Sequence, residues 1–126
     1  MRVLGIDYGE AKVGVAFCEG KLAEPLVVLK DNGREEMSKR VRRIVEEKGI
    51  EKVIVGVSGG LMEGKQRAFG AALRKASNVP VEYYDETLTS KDAIRMGIEA
   101  GVGRKRRQEM EDAYAAAVML QGWVDK

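Results

Sequence analysis

Apolar residues in the first third of the chain come in short runs, the pattern of strands rather than helices. "RVLGID" is a nearly continuous apolar run ending on Asp7, and "KVGVAFC" alternates through Val13, Val15 and Phe17. The intervening "YGEA" is short enough for an antiparallel hairpin, with Gly9 able to take a positive φ. "PLVVL" predicts a third strand. The period then lengthens. "GREEMSKRVRRIVEEKG" places Met37, Val41, Ile44 and Val45 on one helical stripe and stops at Gly49. "KVIVGV" predicts a buried strand, "GKQRAFGAALRKA" a helix with Phe69, Leu73 and Ala76 inward, and "VPVEYY" a fifth strand. A helix from Ser90 to Glu99 follows "DETLTS", with Thr89 and Asp92 at capping-box spacing, and a final helix runs from Gln108 to Val124.

Three strands joined by short turns, then strand–helix alternation, predict an α/β fold with a mixed sheet and helices on its faces. A right-handed crossover from the first helix would set the fourth strand parallel to its neighbour. Residues 1–126 are expected to form one domain, with no internal repeat.

Composition narrows the chemistry. The chain has no histidine and one cysteine, Cys18. Imidazole bases, Ser-His-Asp and Cys-His catalysis and the common zinc sites are excluded together. Cys18 lies on an apolar run and reads as a buried structural thiol, which fits a cytoplasmic location. No secretory leader and no membrane span are expected. A net charge of +2 shows no polyanion partner by itself, so a basic surface must come from clustering.

Three acids stand out by context. Asp7 ends the first strand, Glu86 follows Asp85 beyond the fifth, and Asp112 lies in the last helix beside Ala113, Ala115, Ala116 and Ala117. Parallel strands deliver their C-terminal ends to one rim, and a helix of small residues can approach it closely. Carboxylates meeting there would repel unless a cation lay between them. All-oxygen ligands favour Mg²⁺ or Mn²⁺, and the matching chemistry is metal-assisted phosphodiester cleavage. The plainer alternative, three solvated surface acids, stands beside it.

The segments "GIDYGEAKVGVA", "VIVGVSGG…EG", "VPVEYYDETLTS" and "MEDAYAAAVMLQGWV" resemble, in order and over nearly the whole chain, the successive motifs of the YqgF family. That family is described as Holliday junction resolvases or pre-16S rRNA nucleases. The resemblance implies an RNase H-like fold, a five-stranded sheet in the order 3-2-1-4-5 with strand 2 antiparallel, and catalytic acids at Asp7, Glu86 and Asp112. Asp85 is the alternative to Glu86 as metal ligand. Two positions depart from the family pattern: Ser58 stands where Pro is usual, and Thr87 where Arg is usual. The loss of Arg removes a bidentate phosphate contact or a partner for a nearby acid. The first segment also resembles the phosphate motif of sugar kinases and actin-like ATPases, which close two such domains around ATP.

"GGLMEGKQ" matches most of a Walker A loop, but Gln66 replaces the metal-binding hydroxyl. Two readings stay open: a loop whose backbone and Lys65 meet a substrate phosphate, or a solvated glycine-rich turn. The run Arg104, Lys105, Arg106 and Arg107 precedes the helix of Asp112. Beside a metal site it would neutralise flanking phosphates, as a mobile segment between Gly101 and Gly103 and the helix. Lys39, Arg40, Arg42 and Arg43 are balanced by acids in "REEM" and "VEEK" and read as a solvated face. No base-reading motif is present, so recognition of backbone shape in a structured rRNA precursor or branched DNA is expected. The rRNA precursor comes first, with a non-catalytic binding module as the competing class. No long apolar stripe is left over, so a monomer or weak homodimer is expected.

Overall fold

The alternating runs at the start of the chain form a three-stranded antiparallel meander before strands and helices begin to alternate. The computed structural model describes residues 1–9, 11–30, 33–85 and 103–126. Its elements are β1 (Arg2–Tyr8), β2 (Lys12–Glu19), β3 (Ala23–Lys30), α1 (Arg34–Lys48), β4 (Lys52–Val57), α2 (Gly60–Ser77), β5 (Val81–Asp85) and α3 (Arg104–Asp125). The sheet order is β3-β2-β1-β4-β5. β2 is antiparallel to both neighbours, whereas β4 runs parallel to β1 and β5 parallel to β4. This is the predicted mixed order. The helix expected over 90–99, its Thr89–Asp92 cap and Thr87 lie outside the described residues.

Strand alternation sends each side chain to one of two covered faces. Leu4, Ile6 and Tyr8 of β1, Val13 and Val15 of β2, and Val53 and Val55 of β4 face α1 and α2. They pack on Met37, Val41 and Val45 of α1 and on Phe69 and Leu73 of α2. The opposite face carries Val3, Ala16, Cys18 and Ile54 against Ala116, Ala117, Met119 and Leu120 of α3. Cys18 is 2% exposed, and burial pushes its thiol pKa up. It is therefore a packed thiol.

On that second face the backbones themselves meet. A Cβ on Gly5 would lie 2.9 Å from Cβ of Leu120, and one on Gly14 would lie 1.9 Å from the carbonyl oxygen of Asp112. No side chain fits at Gly14 without moving α3. Gly9 does not adopt a positive φ; a Cβ there would instead crowd the Lys12 carbonyl oxygen at 3.1 Å. The hairpin thus uses Gly9 for close approach rather than for the left-handed backbone.

Two helix starts differ from the sequence expectation. α2 begins at Gly60, so the glycine-rich stretch is its first turns and not a loop. α3 begins at Arg104 rather than Gln108, so the basic run is helical rather than a mobile lead-in.

Candidate active site

Asp7 follows Gly5 by two residues on β1 and so shares its α3-facing side. Across the ladder it pairs with Gly14, the residue on which the Asp112 backbone rests. Paired residues in an antiparallel ladder stand about 4.5–5.5 Å apart at Cα. The Asp112 backbone therefore lies over Gly14, the ladder partner of Asp7. Both side chains are half-buried, so each keeps a route to solvent.

The far end of α3 is what holds this geometry. Gln121 accepts a hydrogen bond from the Ala23 backbone N–H at 2.8 Å and donates to the Lys21 carbonyl at 2.9 Å. The Trp123 indole N–H donates to Glu82 at 2.8 Å, and Lys52 also reaches Glu82 at 2.8 Å. The hydrogen bond from Lys52, then that from Trp123, hold the Glu82 carboxyl below the usual glutamate range. Trp123 also packs on the α3 side of the sheet.

β1, β4 and β5 run parallel, so Tyr8, Val57 and Asp85 end at one rim with Asp7. Just past β4, the Ser58 backbone N–H donates to Oε1 of Gln66 at 3.0 Å, and Gln66 Nε2 donates to the Ser58 hydroxyl at 3.2 Å. Gln66 is 2% exposed. A proline at position 58 could not make the first of these bonds, so Ser58 comes with its own anchor. The sequence reading missed Gln66 as a tie and weighed it only as a failed P-loop hydroxyl. With residues 60–66 helical, neither a Walker A loop nor a flexible phosphate loop is present. Lys65 is an exposed helix residue just beyond the rim. Leu61, 95% exposed, gives the same rim an apolar point.

On β5, Tyr83 turns toward α2, where its hydroxyl donates to the Arg67 carbonyl at 3.1 Å. Tyr84 turns toward α3, against Gly122. Alternation then puts Asp85, paired with Val57, on the α2 side, away from Asp7 and Asp112. Glu86 lies outside the described residues. Among the described residues no group of three His, Cys, Asp or Glu side chains is placed to hold a metal ion. Arg104, Lys105, Arg106 and Arg107 form the first turn of α3, the helix that carries Asp112.

The mixed sheet, with β2 reversed and an acid-bearing helix across β1 and β2, defines an RNase H-like domain. Its fold is shared by Thermus thermophilus RuvC in complex with a Holliday junction substrate, at a TM-score of 0.61, 21% identity and coverage of 94% of this chain and 91% of that one. Fowlpox virus resolvase, solved with junction DNA, aligns at a TM-score of 0.69 and 14% identity over 99% and 97% of the two chains. The chain belongs to the family "RuvX: Holliday junction resolvase", whose model matches residues 1–126. A relative from Pelotomaculum thermopropionicum, named "Putative pre-16S rRNA nuclease", is 37% identical over 134 residues, spanning 99% of this chain and 87% of its own length. It is a family of nucleases, hydrolases of phosphodiester bonds. Among the described residues no helix is long and apolar enough to cross a membrane.

Proposed function

We propose that the chain is a divalent-metal-dependent endonuclease of structured nucleic acid, acting on the 5′ end of pre-16S rRNA. The observation that carries this reading is the Asp112 backbone resting on Gly14, the ladder partner of Asp7. The donor set fits a hard cation: two carboxylates from separate elements, in a chain without histidine. Asp7, Asp112 and Glu86 would hold one or two Mg²⁺ or Mn²⁺ ions. Bound there, the metal would supply positive charge at the scissile phosphate and lower the pKa of a water.

The residues of the chain do the rest. Asp7 and Asp112 would fix where positive charge can collect. The Gln66–Ser58 tie holds the end of β4 beside them. Arg104, Lys105, Arg106 and Arg107 occupy the positive end of α3, whose first turn contains no acid. Cations there oppose the helix dipole, a cost that phosphate neutralisation would offset. Lys65 would add charge from the α2 side of the rim. The backbone-shape recognition expected from the sequence suits a folded RNA.

Branched DNA is the second reading, supported by the family description and by the resolvase fold of the structural neighbours. Cutting two junction strands in a pair needs two copies of the site. Incubation with labelled precursor RNA and with a four-way DNA junction, with Mn²⁺ or EDTA, separates the readings. EDTA-sensitive cuts confined to RNA support rRNA processing, and symmetric cuts confined to the junction support a resolvase. Binding of either substrate with no cuts under Mn²⁺ overturns catalysis and leaves a binding module.

A further inference from the structure

The basic residues of α1 do not behave as the evenly solvated face their spacing implies. Glu36 pairs with Arg40 at 3.7 Å, Glu35 with Lys39 at 3.9 Å, and Glu46 with Arg42 at 2.9 Å, each along α1 itself. These pairs use up acids of α1 and leave Arg34 and Arg43 without an ion pair among the described residues. Arg74 and Lys75, in the last turn of α2, are likewise without one. All four are exposed.

These cations line connected hollows. A groove of about 500 Å³ between α1 and α2 is walled by Arg34, Lys39, Arg42 and Lys75, with Glu35 its sole acid, and small side chains at Ala72 and Ala76 keep it open. Lys75 also borders a hollow of about 560 Å³ that continues past Arg74 toward β5. Arg43 joins Lys39 and Arg42 on the outer side of α1. The helices bury their other stripes on the face of the sheet opposite α3, so this surface points away from Asp7 and Asp112.

We propose that the α1–α2 groove is a second nucleic-acid contact, taking a phosphodiester backbone segment of the substrate remote from the one that is cut. The proposal rests on the nuclease reading above. Arg34 and Lys75 in the groove, with Arg43 and Arg74 on the adjoining hollows, have no ion-pair partner among the described residues and match a polyanion, and guanidinium forks match phosphate oxygens. Among the described residues the exposed large apolar ones are Met1, Leu22 and Leu61, none of them in the groove, whereas a membrane-docking surface needs apolar residues beside its cations. A folded RNA presents several backbone segments, so one can lie on each side of the domain.

The test measures binding by fluorescence anisotropy across a salt series, in an Asp7→Asn background so that nothing is cut. The probes are a labelled RNA hairpin with a 5′ extension, a short single-stranded RNA, and phosphatidylserine vesicles. The combined Arg34→Ala, Arg43→Ala, Arg74→Ala and Lys75→Ala variant should bind the hairpin at least about tenfold more weakly. Its slope of log affinity against log salt should fall by about 2–4, since each lost phosphate contact removes about 0.7–0.9. Short RNA should bind as before, and Arg34→Lys, Arg43→Lys and Arg74→Lys together should keep the parental slope. An unchanged hairpin slope, an equal loss on both RNAs, or a loss confined to vesicles overturns the proposal. So does a parent that binds no RNA. Absent cleavage in the wild type counts against the nuclease reading alone, because this assay reads binding.

Discussion

The two faces of the sheet are built on opposite plans. Toward α1 and α2 the contact is made by large side chains, with Tyr8 stacked on Phe69 at 4.6 Å between ring centroids and Leu4, Ile6, Met37 and Leu73 fully buried around them. Toward α3, Val3, Ile54, Met119 and Leu120 pack beside glycines and alanines, and strand and helix approach until Gly5 and Gly14 leave no room for a Cβ. Large side chains bury more apolar area and stabilise more. Small ones let a helix settle in one position, and on α3 that position sets the Asp112 backbone over Gly14, the ladder partner of Asp7. The first face contributes stability, and the second contributes registration.

If that division holds, substitutions on the two faces should fail differently. Phe69→Ala removes a fully buried ring and should cost about 3–5 kcal/mol in urea unfolding, while the folded fraction cleaves at nearly the parental rate. Gly14→Ala should cost less stability, about 1–3 kcal/mol, yet lose most cleavage, because the Asp112 backbone must move. A Gly14→Ala protein with full activity per folded molecule would break the comparison. Gln66→Leu should sit between them. It strands the Ser58 N–H at about 1–3 kcal/mol, and should lower kcat more than substrate affinity.

The smallest effect concerns acid. Glu82 has its pKa lowered in the folded protein, so its contribution is present above the unfolded glutamate value and is lost as pH falls through the folded one. With its side chain 42% exposed, solvent screening limits the contribution to under about 1 kcal/mol. Glu82→Gln should narrow the stability difference between neutral and acidic pH, read from urea midpoints. An unchanged acid profile would remove Glu82 as an anchor of α3.

Much of this design is legible in residue order. Alternation marks the strands, the shift to helical spacing marks α1, and the alanines around Asp112 signal close approach. The start of α2 is not legible. Gly59, Gly60 and Gly64 carry a propensity cost that reads as a loop, whereas the structure offsets it with the buried Gln66 bonds to Ser58. Gly14 looks like any strand glycine, since only the helix above it shows why no Cβ fits. The basic run was misread for a similar reason: flanking glycines mask a helix start at Arg104. The choice between Asp85 and Glu86 turns on the direction of one residue, and the β5 alternation seen at Tyr83 and Tyr84 gives it for Asp85.

The most direct measurement is Mn²⁺ binding to the full chain, followed by electron paramagnetic resonance of free ion, for wild type, Asp7→Asn, Asp112→Asn and the double variant. Two carboxylates gathered for one cation predict that each single change abolishes most binding and that the double change adds little. Undiminished Mn²⁺ uptake in both single variants, with their fold intact, would contradict that convergence.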